Sequence, residues 1–559
     1  MKNILIIIFT SLSVFCLAQT LAIQVPEKHL IKDDTNLLII SHIENINSFV
    51  DLSNYSEISI SSGNNIFHFN TLPNSLEYSR SYLVRNTSNE YTLYFTQLPI
   101  ISIETTSAII DEPKVLAEFT YADDDRVIES FIGIELRGVT SLSYPKKTYG
   151  LEFWKDEKGE ETLKVQFGKL RNDDDWILDA LYNEPLRLRS YVANKLWLNM
   201  HNPFYQQDEP NAKSGANVQY VEVFVNNEYT GIYNLSERID KKQLKLKSYK
   251  NNIRGELYKG VSWGASTFTS LPNFNNNDRT WSGYELKYPR ENEITEWQNI
   301  YSFTDFVLNS SDADFVNNVW SKFNYENFLD YFIFLNLLRA TDNTGKNIYI
   351  AKYNTAHPYF YIPWDLDGCF GTIWNGTNEN ITNDILTNGF LKRVINLNPN
   401  DYSKTLSNKW FEYRDNILEE NKLMQIFENQ YQYFLNNKIY ERESIVYPNS
   451  EFKQQDLAYL LNWLHNRISF LDEYFRKVLT VGNMNLTKTE MLFYPNPARN
   501  IIYILATDKL VDETYEIYNN LGNLIDQSKI ENNFISIEAL KPGSYIVIIN
   551  KTPHKIIVK

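Results

Sequence analysis

The sequence predicts an α+β fold in several parts: a β-rich leader, a central domain with hairpins first and helices later, and an all-β, immunoglobulin-like end. Three observations carry this expectation. A chain of 559 residues is too long for one core, so about two to four domains are expected. Its 43% hydrophobic and 14% aromatic content is that of a globular protein. The residue pattern also changes twice, from short alternating runs to stronger strands near residue 98, and from helical spacing to short strands again near residue 480.

The N-terminus reads MKNILIIIFTSLSVFCLAQT. Lys2 followed by the apolar run Ile4 to Leu17 has signal-peptide character, with a cut expected after Ala18. No later run reaches the roughly 20 apolar residues of a bilayer span. The mature chain is therefore expected to be exported, with no transmembrane segment after signal cleavage. Removal of Cys16 leaves Cys369 as the single cysteine, which excludes an intrachain disulfide and a cysteine-based metal site. The formal charge of −15 argues against nucleic acid as a partner, because phosphate backbones need a basic face.

Residues 19–97 alternate short β-type runs with Asn/Ser turns, as in "SEISISSGNNIFHFNTL", and are read as the leader. In the central domain, 98–478, "RVIESFIGIELRG" and "KKTYGLEFW" read as paired strands. In "NEPLRLRSYVANKLWLNM", Leu186, Val192 and Leu196 recur at helical spacing behind a proline at an early-turn position. "VQYVEVFVNNEYTGIYNLSERI" reads as a hairpin around Asn-Asn, residues 322–340 as a strongly apolar helix, and 403–478 as further helices. "VGNMNLTKTEMLFYPNPARN" has linker character, and the short strands of 485–559 fit an immunoglobulin-like module.

The chemistry concentrates behind the apolar helix. Asp342 and Asn347 lie five residues apart in a polar loop. Two strands are then expected, 347–353 and 359–364, and Asp365-Leu366-Asp367-Gly368 begins where the second ends. In a hairpin the start of one strand lies beside the end of the other, so these four polar residues should meet. Protein kinases place an Asp five residues before a metal-holding Asn, with a second metal-holding Asp beyond a hairpin. Hard oxygen ligands suit Mg²⁺ or Mn²⁺, and such an ion would offset the repulsion between the carboxylates. A D-x-D pair also marks nucleotide-sugar transferases and Ca²⁺ loops, and Asp-Leu-Asp-Gly can be an ordinary acidic turn. Cations for phosphate are sought among Arg137, Lys146, Lys147, Arg189 and Lys259, and Glu237 is a candidate carboxylate to orient a lysine. The alternative for each is a solvated strand charge.

Taken in order, "RGVTSLSYPKKTYGLEF", "WILDALYNEPLRLRSYVANKLW", "VEVFVNNEYTGIYNLSERID", "GELYKG", "YELKY", the Asp342…Asn347 loop and "IPWDLDGCFG" resemble the motifs of the CotH family, which is similar to secreted atypical protein kinases. The resemblance implies a divergent protein-kinase-like core without a glycine-rich loop. It also implies transfer of the ATP γ-phosphate to Ser/Thr of a protein substrate with Mg²⁺ or Mn²⁺. It makes Asp342 the catalytic aspartate and puts Asn347, Asp365 and Asp367 at the metal. Arg137 and Lys147 match its basic strand motif, and Glu237 its "x-x-Glu-Arg-Ile-Asp" motif. Arg189 matches the arginine of "Asp-Lys-Ser-x-x-Arg", although this chain reads Glu184-Pro185-Leu186-Arg187-Leu188-Arg189 there. "FYPNPARNIIYI", "YEIYNNLGNLI", "IEALKPGSYIVII" and "HKIIVK" resemble the type A sorting domain of the type IX secretion system of Bacteroidota. That likeness implies handling by the type IX machinery and a secreted or cell-surface location. Two other readings stay open: a non-catalytic surface scaffold or adhesion protein that kept the fold, and a metal-dependent nucleotide-sugar transferase.

Overall fold

Asn226 and Asn227 both adopt left-handed backbone angles, φ 51° and 61°. Two such residues make the tight turn whose twist matches a hairpin, and Asn tolerates that region better than most residues. The turn joins strand Val218–Val225 to strand Glu228–Glu237. This hairpin is part of a closed seven-stranded barrel in the order Val127–Leu136, Tyr149–Trp154, Asp175–Asp179, Glu228–Glu237, Val218–Val225, Ile100–Glu104 and Val115–Ala122. The pairing of Phe131 with Trp154 through Leu136 with Tyr149 sets one seam. Alternate residues point inward, so Ile101, Phe119, Ile132, Leu151, Phe153 and Trp176 fill the interior. Closure leaves the sheet without exposed edges.

The computed structural model describes residues 19–481, 492–494, 496–505, 513–530, 534–549 and 552–559. The expected signal peptide, 1–18, lies outside the described residues, as does most of the linker. Two compact units divide the chain, one built from residues 1–391 and 406–476, the other from 392–405 and 477–559.

In the first unit the β-rich N-terminal region forms a seven-stranded sheet with Gln19–Gln24 at one edge and Leu30–Asp33 at the other. It packs on the barrel: Ile31, Leu38, Ile40 and Tyr94 share a core with Ile100, Phe224 and Tyr229. The Tyr229 N–H donates to the Asp33 carboxylate at 2.9 Å.

The helix read from "NEPLRLRSYVANKLW" begins later than its spacing suggests. It spans Arg189–Met200, and Pro185 and Leu186 precede it. The buried Glu184 carboxylate accepts the Leu186 N–H at 3.0 Å and also takes the Leu188 and Arg189 N–H groups. The chain wraps around that carboxylate, with Arg187 at φ 62°, before helix can start. A side-chain acceptor has replaced the carbonyls that an earlier helical turn would have supplied.

The apolar helix spans Tyr325–Leu338. Asn324 caps it by accepting the Asn327 N–H at 2.8 Å, and Arg339 ends it in the left-handed region. Every residue from Asn327 to Leu338 is buried, so the helix is held by packing all round rather than along one stripe. Behind it a five-stranded sheet runs Thr280–Trp281, Tyr284–Tyr288, Glu256–Gly260, Ile348–Lys352, Tyr359–Pro363. Helices Glu420–Asn436 and Ile439–Val446 follow, as the spacing of that stretch predicts. Among the described residues no helix is long and apolar enough to cross a membrane.

In the second unit a three-stranded and a four-stranded sheet share one core, with Ile502, Ile504 and Ile535 from the first against Ile517, Val547 and Ile549 from the second. Both hairpins expected there are present, Thr514–Asn519 with Leu524–Lys529, and Gly543–Ile549 with Thr552–Val558.

Candidate functional site

The hairpin Ile348–Lys352 and Tyr359–Pro363 pairs with Ile348 opposite Pro363. That register sets Asn347 across from Trp364, whose N–H donates to the Asn347 carbonyl at 3.1 Å. Asn343 ties the two ends together, its amide donating to the carbonyls of Asn347 at 2.6 Å and Trp364 at 2.9 Å. Asn347 and Asp365 both take left-handed angles, φ 54° and 55°, which short polar side chains accept at lower cost than branched ones. The loop 341–347 also needs close backbone approach. A Cβ on Gly260 would meet the Gly345 carbonyl oxygen at 2.2 Å, so only glycine lets the strand end touch the loop.

These segments form one wall of a cavity of about 280 Å³ between the barrel and the five-stranded sheet. Asp342, Asn347, Asp365 and Asp367 all line it. So do Arg137, Lys146 and Lys259 from the expected cation set. Sequence reasoning did not single out Asp179, Asn183, Lys346 and Trp374, which line it too. Asp179 ends a strand of three buried apolar residues, Trp176 to Leu178, and a carboxylate after such a run was a readable signal. Asn183 donates to Asp367 Oδ2 at 2.6 Å and to the Trp374 carbonyl at 2.7 Å, a contact across 184 positions that no local pattern announces.

The acids crowd one another. Burial, the charge of Asp365 and that of Asp179 push the Asp367 carboxyl well above its ordinary range, while the Asn183 bond opposes them. The Asp365 side chain is exposed, yet the protein packed around it and the charge of Asp342 raise its carboxyl, against Lys259 and Arg137. Asp179 is pushed up to about 6 by burial and by Asp365. Neither Asp365 nor Asp367 has a cationic group within 4.0 Å among the described residues. Asp342 does: Lys346 Nζ stands 3.5 Å from its Oδ2.

The cations are equally unpaired. Arg137 lies over the Trp364 ring, 5.8 Å from its centre, and has no carboxylate within 4.0 Å among the described residues. Lys259 has none either, and burial with the like charge of Arg137 pulls it down to about 8. Acids and bases without an ion-pair partner within 4.0 Å among the described residues thus share one cavity and answer each other only at longer range.

The remaining candidates are held elsewhere. Lys146 touches the cavity but its Nζ is fully buried, bonded to Glu443 Oε1 at 2.6 Å and to the Ile232 carbonyl at 2.5 Å. The lysine-orienting carboxylate expected at Glu237 is therefore, for Lys146, Glu443 of helix Ile439–Val446. Glu237 accepts backbone N–H groups of Arg171 at 2.8 Å and Asn217 at 3.1 Å, and the lysine beside it is Lys213, 3.7 Å away and outside the cavity lining. Lys147 turns away and donates to the Leu142 carbonyl at 2.7 Å. Arg189 is buried in an ion pair with Glu184 and bonds the Phe370 carbonyl at 3.3 Å, so it braces the turn after the acids without lining the cavity.

Asp173, Asp174 and Asp175 also bring three carboxylates together. Lys242 Nζ already stands 2.5, 2.7 and 3.1 Å from them, and Arg171 and Arg238 pair with Asp173 and Asp175, so three cations answer the three acids.

Residues 134–471 match the CotH kinase protein family, and residues 492–559 match the secretion system C-terminal sorting domain. No curated protein matches the chain.

Proposed function

The chain belongs to the CotH kinase protein family, and from that premise we propose that it is an exported phosphotransferase, moving the γ-phosphoryl group of ATP to a Ser or Thr hydroxyl of a secreted or surface protein. The observation that supports this is one cavity lined both by Asp365 and Asp367, which have no ion-pair partner within 4.0 Å among the described residues, and by Arg137 and Lys259, which have none either. A divalent cation on a polyphosphate answers both needs at once.

Asp367, Asp365 and Asn347 offer the hard oxygen donors that Mg²⁺ or Mn²⁺ prefers. Asp367, already oriented by Asn183 and followed by Gly368, is the primary ligand in this reading. When bound, such an ion neutralises charge on the transferring phosphoryl group. Arg137 and Lys259 grip phosphate oxygens, and their fixed positions supply electrostatic stabilisation without reorganisation. Lys146, locked by Glu443, braces the cavity wall. Asp342, held by Lys346, orients the acceptor hydroxyl and takes its proton. The acceptor oxygen bonds to the γ-phosphorus, the bond to the β–γ bridging oxygen breaks, and ADP leaves. The C-terminal sorting domain and the signal-peptide character of residues 1–18 support export and handling by the type IX machinery.

The test is incubation of the full chain with γ-labelled ATP, Mn²⁺ or Mg²⁺ and a Ser-rich acceptor protein. Label should pass to protein, and Asp342→Asn should abolish it. Absence of transfer with every divalent ion, with Asp342→Asn indistinguishable from the parent, would overturn the reading.

A further inference from the structure

A second cavity, of about 190 Å³, opens beside the first and shares Arg137, Lys259 and Trp364 with it. Its lining is strongly basic in a chain whose formal charge is −15. Two carboxylates line it, Asp175 and Asp240, and both are already engaged. Asp175 pairs with Arg238 at 3.3 Å and Lys242 at 3.1 Å. Asp240 pairs with Arg171 at 3.1 Å and accepts the Gln243 N–H at 2.7 Å. Lys287 is paired with Glu285.

Four cations are left over. Arg137, Lys259, Lys241 and Arg290 have no carboxylate within 4.0 Å among the described residues. Lys241 donates to the Ser248 hydroxyl at 2.8 Å and lies 5.2 Å from the centre of the Tyr288 ring, so its charge faces this cavity unneutralised. Arg290 is exposed beside it. A neutral occupant such as a nucleobase would leave these charges unanswered. Arg137 and Lys259 line both cavities, but Asn347, Asp365 and Asp367 line only the first, so a triphosphate bridged to a metal on those groups sits in the first. Lys241 and Arg290 line only the second.

We propose that this second cavity receives acidic side chains of the acceptor protein, Asp or Glu flanking the Ser or Thr hydroxyl, and so makes the protein select acidic acceptors. The proposal rests on the phosphotransferase reading for its role, but the binding it describes can be measured without nucleotide.

The experiment uses the full chain and fluorescent Ser peptides flanked by Glu, Gln or Lys, with polarisation as the readout and no ATP present. The Glu peptide should bind most tightly, and salt should weaken it by screening. Lys241→Gln/Arg290→Gln should weaken the Glu peptide about tenfold and Lys241→Glu/Arg290→Glu more, as expected for rim charges. The thermal shift given by Mn²⁺ with ATP should stay as in the parent. Equal binding of Glu and Lys peptides, or unchanged preference in both variants, overturns the proposal. So does loss of the ATP shift with peptide binding intact, which would make the cavity a nucleotide subsite. Tight, charge-dependent binding of the Glu peptide with no transfer to any peptide would uphold the acidic site and sink the phosphotransferase reading instead.

Discussion

Lys146 and Glu443 form an ion pair, Nζ to Oε1 2.6 Å, in which neither side chain is exposed. The Tyr233 ring lies 4.7 Å below the ammonium, and the other Glu443 oxygen accepts the Ile232 N–H at 2.8 Å. Arg187 adds a second cation 3.3 Å from Glu443 Oε1. Helix Ile439–Val446 is thereby fastened to the barrel at the floor of the cavity. Its neighbouring residues fasten it to the N-terminal sheet as well, Glu441 accepting from the Tyr94 hydroxyl at 2.9 Å.

Glu443→Ala should cost about 3 to 5 kcal/mol, because it strands two buried cations rather than removing one contact. Gly231→Ala should act on the same pair, since its Cβ would meet Glu443 Oε2 at 2.1 Å and Lys146 Nζ at 3.0 Å at φ +91°. Denaturant unfolding measures both. A loss below about 1 kcal/mol for Glu443→Ala, the level of a surface pair, would mean that the pair does not anchor the helix.

Asn183→Leu should leave the fold intact and weaken Mn²⁺ binding about 10- to 100-fold, as loss of an outer-shell hydrogen bond does. The substitution removes the 2.6 Å bond that orients Asp367. Titration calorimetry with Mn²⁺ reads it. Unchanged affinity would show that Asp367 is not the group that binds the ion.

The crowded acids give a pH dependence of known sign. Asp367 and Asp179 have folded values above their ordinary ones, Asp179 at about 6. Such groups support the fold fully below the ordinary carboxylate value, and that support is lost as pH rises through the folded value. Metal-free Asp367→Asn should therefore be more stable than the parent at pH 7, with the gap closing towards pH 4. Melting curves across that range check it. A parent more stable than Asp367→Asn at pH 7 without metal would contradict the crowding.

Lys259 gives the opposite kind of dependence. Its folded value, pulled down to about 8, means that it loses charge as pH rises through 8. An anion bound beside it restores the proton, so ATP binding near pH 8 should take up protons and weaken as pH climbs further. Calorimetry in two buffers of different ionisation enthalpy measures the uptake, and Lys259→Met should abolish it. Uptake that persists in Lys259→Met would assign the effect to another group.

The local parts of this architecture were legible in the sequence. Asn-Asn between two β-rich runs predicts the hairpin at 226–227, and the Asp342…Asn347 and Asp365-x-Asp367 spacings place four polar groups at one end of another. What is set by distant contacts was not. Glu443 is 297 positions from Lys146, and Glu237 offered a nearer carboxylate that the fold uses for backbone N–H groups. The late start of helix Arg189–Met200 depends on the burial of Glu184, which no spacing reveals. Barrel closure likewise pairs Ile100–Glu104 in parallel with Val218–Val225, over more than a hundred intervening residues.

The most direct test is a crystal structure of the protein with Mn²⁺ and a non-hydrolysable ATP analogue, read by the anomalous signal of manganese. The account predicts a peak in direct coordination with Asp367 and its neighbours Asp365 or Asn347, and phosphate oxygens against Arg137 and Lys259. A peak at Asp173–Asp175, or an analogue bound away from the Asp365-Leu366-Asp367 turn, would contradict it.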